Sequence, residues 1–539
     1  MIAPHIERSA RTGDLDAVAT LTAAGHACAP RAPAAAARWF AAALRLLPDD
    51  HSQRKPELLV PLARALGSAG QLEASREALE EVLRLLPPEL GAIRGQVIAF
   101  MSLISHLLGR HGEARENLLA ALAERHGDTT SPEAAALETE LAADCFFLGE
   151  WRQMNDWAEL AVAAADPRTQ ATATALLALS CYELGRPAEA REHVAAAKAL
   201  IDGLSDDELA LRVDACHWLG WCEHLLDHYA DSVRHMQRGI AISRRTGQGH
   251  VLAPMTIGLV IANCWQGELA QAWPHAEDAV EIAHLSGSDQ LMAWAQTMCC
   301  WVAGRRGDLE LAVAAGEEAL RVSEQVTRGP YTIVASCWLA DAMIESGSPQ
   351  RALDVLLAAI DGPELPGVEP AFRSCIYEVL TRAELARERI EQAGDWAARA
   401  ADAVRDLGLP GRESFALRAQ AEVELASGRP AAAAELALAA AEKAGSGYRI
   451  DSARSRLLAG RSFAAAGDRR RALAELRRAR RVLDEARARG QHLASLLRAR
   501  RDEIEPELLA LPRPETVRDP VRPRDQKSTA VGRREAVRF

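Results

Sequence analysis

The sequence predicts an all-α protein: a right-handed α-solenoid of about twelve helical hairpins, followed by a disordered C-terminal tail. Three observations support this fold class. Aromatic residues are only 4% of the 539 residues, whereas alanine occupies 108 positions, a composition that favours helices over sheets. One pattern of small residues recurs along the chain, mostly 39 to 42 residues apart. After Ala510 the composition changes to proline and charged residues.

The recurring pattern is a turn residue followed by one small residue five positions later and another twelve positions later. Nine units have glycine at the turn: Gly70, Gly109, Gly149, Gly185, Gly267, Gly307, Gly347, Gly428 and Gly467. Three further units have Arg31, Asp227 and Glu388 there. Glycine tolerates the left-handed conformation in which one helix ends and the next begins within a few residues. Each unit therefore predicts a helical hairpin.

Small residues also mark where the two helices of a hairpin meet. The positions five and twelve after the turn lie on one face of the second helix. Seven positions before the turn, ten of eleven residues are small, as at Ala63, Ala142 and Ala340. This is the arrangement of a tetratricopeptide repeat, lengthened from about 34 residues to about 40.

The repeat predicts one solenoid over residues 1–510 and a disordered basic tail over residues 511–539. Stacked hairpins bury a continuous seam, so no domain boundary is expected within the solenoid. The chain carries a net charge of −12, divided into −20 before Asp468 and +8 from that residue onward. Because an acidic body repels a duplex, we expect only weak, sequence-independent DNA binding by this chain.

The sequence gives no sign of export or of a membrane span. The start, MIAPHIERSA, is charged where a secretory signal would be apolar, which predicts a cytoplasmic protein. The uncharged stretch Thr246 to Gly267 falls in step with the repeat, so we expect a buried helix pair there. The ten cysteines form no CxxC pair, which predicts reduced, buried thiols.

Several catalytic and cofactor-binding signatures are missing. The sequence has no GxxxxGK[ST], GxGxxG, HExxH or GxSxG motif. We therefore expect no ATP binding, no cofactor, no metal site and no enzymatic activity. His224 and His228 have the spacing of helical metal ligands, but the predicted turn at Asp227 places them on different helices.

A binding groove is predicted on the inner surface of the superhelix, formed by first-helix residues about 13, 10, 6, 3 and 2 positions before each turn. In the middle hairpins this rule selects Asp214, His217, Trp221, His224, Trp265, Trp294, Trp301, Arg305, Asp341 and Arg382. The four tryptophans would form an aromatic strip able to stack a small ligand or grip a peptide, with each indole partly exposed in the free protein. The alternative is that these side chains fill wide gaps between repeats.

Several segments of the chain resemble a known family. They are ERSARTGDLDAVATLTAAGHACAPRAPAAAARWFAAALRLLPDD, DDELALRVDACHWLGWCEHLLDHYADSVRHMQRGIAISRRTGQGH, GDLELAVAAGEEAL and RSRLLAGRSFAAAGDRRRALAELRRA. They look like the helical repeats of large actinobacterial LuxR-type transcriptional regulators, which are relatives of the maltose activator MalT. In that family the repeats are a sensor arm that receives an inducer or partner protein and controls self-association. The family's ATP-binding module and helix-turn-helix have no counterpart in these residues, so their activities are not expected here.

The sequence thus favours a non-enzymatic, ligand- or protein-binding repeat scaffold, the signal-sensing arm of a LuxR-type regulator, whether standalone, split or truncated. The alternative is a general protein-protein interaction adaptor unrelated to transcription. A third hypothesis, an enzyme with its site in the groove, would require clustered acid and base groups on the inner surface.

Overall fold

The computed structural model describes residues 3–87, 89–125, 131–163, 166–326, 330–365 and 368–488. Every regular element within these ranges is helical, and none of the described residues lies in a β-strand. The predicted all-α solenoid of hairpins is therefore confirmed. The predicted boundary at residue 510 and the predicted tail, 511–539, lie outside the described residues.

The described ranges contain twelve helical hairpins, as the repeat predicts, together with two short additional α-helices and two 3₁₀-helices, Asp49–Arg54 and Gly249–Val251. The first half comprises α1 (Ala3–Ser9), α2 (Leu15–Cys28), α3 (Pro33–Leu46), α4 (Lys55–Ser68), α5 (Leu72–Leu85), α6 (Gly91–Leu107), α7 (His111–Ala123), α8 (Pro132–Leu148), α9 (Trp151–Val162), α10 (Pro167–Glu183), α11 (Pro187–Gly203) and α12 (Asp206–Leu209). The second half comprises α13 (Asp214–Leu225), α14 (Tyr229–Thr246), α15 (Leu252–Gln266), α16 (Leu269–Ser286), α17 (Asp289–Arg306), α18 (Leu309–Ser323), α19 (Pro330–Glu345), α20 (Pro349–Ala359), α21 (Pro370–Ala386), α22 (Ile390–Val404), α23 (Pro410–Ala426), α24 (Pro430–Ala444), α25 (Arg449–Ala465) and α26 (Arg469–Ala488). The hairpins pair α2 with α3 and so on to α10 with α11, and then α13 with α14 and so on to α25 with α26.

The predicted turn residues adopt the left-handed conformation in eleven hairpins. All nine turn glycines have positive φ, and so do Asp227 (66°) and Glu388 (61°), which replace glycine at two turns. The turn at Arg31 is different, because α2 ends at Cys28 and α3 begins at Pro33 without a left-handed residue between them. The repeat therefore fixes a backbone conformation even where the residue type is unfavourable for it.

The small residues of the repeat meet between the two helices of each hairpin, as predicted. Ser75, five positions after its turn, donates a hydrogen bond from Oγ to the carbonyl of Ala63, seven positions before the turn, at 2.7 Å. Ser232 donates in the same way to Gly220, also at 2.7 Å. A Cβ on Gly220 would lie 2.9 Å from Cε of Met236, so only glycine fits there without displacing that side chain.

Successive turns of the superhelix contact each other. A Cβ on the turn residue Gly185 would lie 3.3 Å from Cγ of Pro370, at the start of α21, which belongs to the hairpin five further along the chain. Tyr448, just before α25, reaches the turn of α13 and α14, six hairpins earlier, where its hydroxyl donates to Asp227 Oδ1 at 2.7 Å. Helix α15 packs on α25, and α10 packs on α21. These contacts enclose the space between the first helices.

The long uncharged stretch holds one long buried helix rather than the predicted pair. Helix α15 is almost entirely buried, and it packs against α16, which lies beyond the stretch and buries only one face. In the described part of the chain, no helix combines the length and the apolar character needed to cross a membrane. All ten cysteines are free thiols, and nine are buried, as predicted.

Candidate ligand-binding cavity

A cavity of about 130 Å³ lies inside the superhelix. It is surrounded mainly by the first helices of the hairpins, from α8 to α23. Its aromatic lining consists of Phe146, Trp151, Trp221, Trp265, Trp294, Trp301, Tyr331, Trp338 and Phe372. Helices α17 and α19 each supply two of these side chains, because residues seven positions apart share a helix face.

The indoles pack against one another in defined geometries. Trp301 and Trp338 stack with their planes 8° apart and their centroids 4.7 Å apart. Trp265 meets Trp301 edge to face at 4.6 Å. On the other side of the cavity, Trp294 lies 4.1 Å from Tyr331. Edge-to-face and stacked pairs stabilise aromatic clusters beyond the burial of their surface.

Polar atoms at the cavity lack partners. The indole Nε1 atoms of Trp294 and Trp301, and Nε and Nη1 of Arg412, are all buried without a hydrogen bond. Buried polar groups in folded proteins are usually satisfied, because leaving one unpaired costs about 1–3 kcal/mol. Such a concentration of unpaired groups around one cavity is typical of a site that is completed by a ligand.

The ionisable groups at the cavity have shifted pKa values. Burial raises the pKa of Glu183 well above its ordinary value, and the neighbouring carboxyl of Glu369 raises it further. Burial lowers the pKa of His224 to about 3, with a smaller contribution from the Arg412 cation. Arg412 lies 5.4 Å from the ring centroid of Trp265, in cation–π contact. At neutral pH the site therefore presents a neutral imidazole and a buried guanidinium, together with a carboxyl whose protonated form is favoured by burial.

A second, smaller cavity of about 40 Å³ lies beside the first and shares Trp294 with it. Asp214, His217 and His250 line this smaller space. Burial alone lowers the pKa of His217 to about 3, so its imidazole is neutral at physiological pH. Asp214 is ion-paired to Arg212 at 2.8 Å.

An ion-pair network occupies the interior next to the aromatic cavity. Arg382 pairs with both Asp341 and Glu345. Arg305 pairs with Asp451 at 3.0 Å, and Arg418 lies 3.3 Å from the same carboxylate. Burial opposes ionisation of Asp341. The surrounding guanidiniums, chiefly that of Arg382, nevertheless hold the pKa of Asp341 well below its usual range. These residues link first helices across the interior.

The ten residues selected from the sequence divide into three groups. Trp221, His224, Trp265, Trp294 and Trp301 line the larger cavity. Asp214 and His217 line the smaller one. Arg305, Asp341 and Arg382 belong to the ion-pair network. Their part in binding remains a prediction.

The expectation that the indoles would be partly exposed is wrong. The four predicted tryptophans are only 3% to 9% exposed. The reason is that successive turns of the superhelix contact one another, so the groove closes into a cavity. The indoles also pack against each other. They therefore both line the cavity and fill space between repeats, which were the two alternatives left open by the sequence.

The rule that selected inner-surface residues counts back at most about 13 positions from each turn. It therefore missed residues that lie one helical turn earlier. Tyr331, Phe372 and Arg412, which line the cavity, and Asp451, in the network, each lie sixteen positions before their turn residue. Extending the rule by three residues would have found them. Glu183 lies two positions before Gly185, in a hairpin to which the rule was not applied.

Fold and cavity together define a tetratricopeptide-like repeat protein with an enclosed aromatic interior. The family model described as MalT-like TPR region matches residues 171–499. The chain belongs to this family, as the resemblance of its repeats predicts. A search of curated protein sequences finds no match.

Solved helical-repeat structures are similar to this chain at low identity. The Rap protein complexed with competence and sporulation factor is 9% identical, with a TM-score of 0.42, covering 74% of this chain and 99% of its own. The human IFIT1 dimer with PPP-AAAA is 14% identical, with a TM-score of 0.41, covering 81% of this chain and 95% of its own. Yeast Tom70 is 13% identical, with a TM-score of 0.34, covering 76% of this chain and 95% of its own. These similarities carry no conclusion about a ligand or partner.

Proposed function

We propose that this chain is a non-enzymatic, ligand-binding repeat scaffold, the signal-sensing arm of a LuxR-type transcriptional regulator, and that it takes a small aromatic inducer into its interior cavity. Membership of the MalT-like family supports the regulatory assignment. The observation that carries the ligand assignment is the set of unpaired polar atoms around an aromatic cavity.

The chemistry of the lining defines the ligand class. Two indole N–H groups, and Nε and Nη1 of the buried guanidinium of Arg412, are donors without acceptors. A ligand with a carboxylate or a similar acceptor group would satisfy them, while its ring would stack on the indoles. The cavity of about 130 Å³ is close in size to an engineered cavity of about 150 Å³ that admits benzene. A compound built on one aromatic ring therefore fits best.

The architecture suggests how binding would be transmitted. The lining comes from hairpins distributed from α8 to α23, so a ligand would contact both sides of the junction between α10 and α21. Binding to the closed form alone would stabilise these contacts between successive turns of the superhelix. In this proposal the closed superhelix is the signalling state, and closure changes the self-association of the chain.

A ligand screen tests the proposal. Binding of ring carboxylates such as benzoate and indole-3-acetate, each compared with its neutral amide, is followed by tryptophan fluorescence and calorimetry. Replacement of Arg412 by Met should weaken binding of the best carboxylate by at least about 10-fold, because a charge-assisted hydrogen bond contributes about 1.5–3 kcal/mol. The matched control is Arg399→Met, since Arg399 also lies over an indole, 5.8 Å from Trp396, but outside the cavity.

Self-association is measured by sedimentation velocity with and without the bound compound. A shift in oligomeric state that Arg412→Met abolishes would support the sensor role. Failure of every small compound, together with tight binding of a polypeptide, would instead support a general interaction adaptor.

A further inference from the structure

Two histidines and an aspartate converge at the turn between α6 and α7. His106 lies in the last turn of α6, His111 is the first residue of α7, and Asp144 projects from α8. Nε2 of His106 lies 3.4 Å from Oδ1 of Asp144, and Nδ1 of His111 lies 3.5 Å from the same oxygen. The three atoms all lie within 4.8 Å of one another.

These three atoms are buried, and the only polar atoms that the two nitrogens face among the described residues are each other and Oδ1. The side chains of His106, His111 and Asp144 are 1%, 1% and 0% exposed. Their contacts with Oδ1, at 3.4 and 3.5 Å, are ion pairs that are too long or too poorly aligned to be good hydrogen bonds. A cation between the three atoms would give each of them a direct bond.

We propose that His106, His111 and Asp144 form a binding site for a divalent transition-metal ion of the zinc class. Two imidazoles and a carboxylate are a common ligand set for Zn²⁺, with bonds of about 2.0–2.1 Å. In a tetrahedral site, bonds of that length put neighbouring ligand atoms about 3.3–3.4 Å apart. The two nitrogen–oxygen distances, 3.4 and 3.5 Å, match this spacing.

The surroundings fix the ligands in place. Arg115 donates from Nε to Oδ2 of Asp144 at 2.8 Å, which orients the carboxylate and leaves Oδ1 directed at the histidines. The charge of Arg115 is balanced by Glu150 at 2.7 Å. The ring of Phe147 lies 5.5 Å from that of His106 and 5.0 Å from that of His111.

One of the three ligands borders a cavity: His106 lines the smaller interior cavity of about 40 Å³. A site with three protein ligands and one water binds the metal while leaving the fourth position exchangeable. Because the ligands come from α6, α7 and α8, the ion would also join two adjacent hairpins, and this effect is independent of the proposed ligand in the aromatic cavity.

The purified full chain, freed of metal with a chelator, is titrated with Zn²⁺ alone by calorimetry. We expect one ion per chain with a dissociation constant in the micromolar range or tighter, together with a rise in melting temperature. Substitution with Co²⁺ should give the visible absorption of a tetrahedral ion without the near-ultraviolet charge-transfer band of thiolate ligands, which separates this site from the ten cysteines.

His111→Gln and His106→Gln should each weaken Zn²⁺ binding by at least about 10-fold. Replacing a residue that only supports a metal ligand already lowers metal affinity by about 10–100-fold. The matched control is His235→Gln. His235 is also fully buried beside carboxylates, but its two nitrogens face Glu223 and Asp202 separately, at 2.7 and 3.3 Å, so they present no common centre. Circular dichroism verifies that each variant folds.

Absence of stoichiometric Zn²⁺ binding by the wild-type chain would overturn the proposal. So would unchanged affinity in the folded histidine variants, or a Co²⁺ spectrum dominated by thiolate ligation. The wild-type Co²⁺ spectrum decides the ligand type even where a variant does not fold.

Discussion

The guanidinium of Arg305 in α17 lies 3.0 Å from the carboxylate of Asp451 in α25, although 146 positions separate the two residues. Both side chains are almost fully buried. The same carboxylate lies 3.3 Å from Arg418, which also pairs with Glu378 at 2.9 Å, so Asp451 is shared by two buried cations. This contact crosses the interior of the superhelix and joins hairpins that are distant in sequence.

Replacement of Asp451 by Asn should lower the free energy of unfolding by about 3–5 kcal/mol. The physical reason is that Arg305 would remain buried without its ion-pair partner and Arg418 would keep only Glu378, and loss of one partner of a buried pair is strongly destabilising. Urea denaturation followed by far-ultraviolet circular dichroism measures the change. The control is Glu317→Gln, which breaks an exposed pair with Arg351 and should cost less than about 1 kcal/mol. Equal effects in the two variants would contradict the role given to Asp451.

Replacement of Glu388 by Gly should raise the free energy of unfolding by about 0.5–1 kcal/mol. Glu388 has a φ of 61°, which is costly for a residue with a Cβ, and glycine adopts it freely. The reverse change at an equivalent turn, Gly428→Ala, should be destabilising by about 1 kcal/mol. The space around Gly428 is open, so that change tests conformation alone. Chemical denaturation of both variants should give opposite signs, and the same sign in both would refute the explanation.

Replacement of Trp301 by Ala should lower the free energy of unfolding by about 3–5 kcal/mol, the range for loss of a buried aromatic side chain. Trp301 is 3% exposed and packs against both Trp265 and Trp338. Trp396, which is half-buried and stacks only on Tyr377 among the described rings, is the control, and its replacement by Ala should cost less. Melting curves and urea titrations compare the two. A smaller loss at Trp301 than at Trp396 would show that the cavity lining is not part of the core.

Acidification should destabilise the protein through His217. Burial lowers the pKa of this imidazole from 6.5 to about 3, so the unfolded chain binds a proton in a range where the folded chain does not. The contribution of His217 to stability is complete above pH 6.5 and is lost progressively as the pH falls toward about 3. His217→Gln should therefore flatten the fall in melting temperature over that window. The exposed His228 provides the control, His228→Gln, and a slope left unchanged by H217Q would count against the neutral buried imidazole.

The left-handed turns at Asp227 and Glu388 show how strongly the repeat constrains this chain. Neither residue favours positive φ, yet both adopt it because the helices on either side are fixed by small contact residues. Position in the repeat therefore predicted the backbone better than residue type did.

His106 and His111 show where the reasoning from sequence fell short. The turn at Asp227 was expected to separate His224 from His228, and by the same logic the turn at Gly109 would separate His106 from His111. In the structure the rings of His106 and His111 lie face to face, with centroids 5.7 Å apart. A tight hairpin turn brings the end of one helix and the start of the next together, so side chains close to the turn converge.

The sequence by itself determined the twelve hairpins, their turn residues and the face of each first helix that points inward, because these depend on periodicities within one or two repeats. Tertiary structure decided whether the inner surface is open. Closure depends on contacts such as Gly185 with Pro370 and Arg305 with Asp451, between hairpins that share no local pattern. Small differences in the angle between adjacent hairpins accumulate over five repeats, and only their sum decides whether successive turns of the superhelix touch and bury the tryptophans.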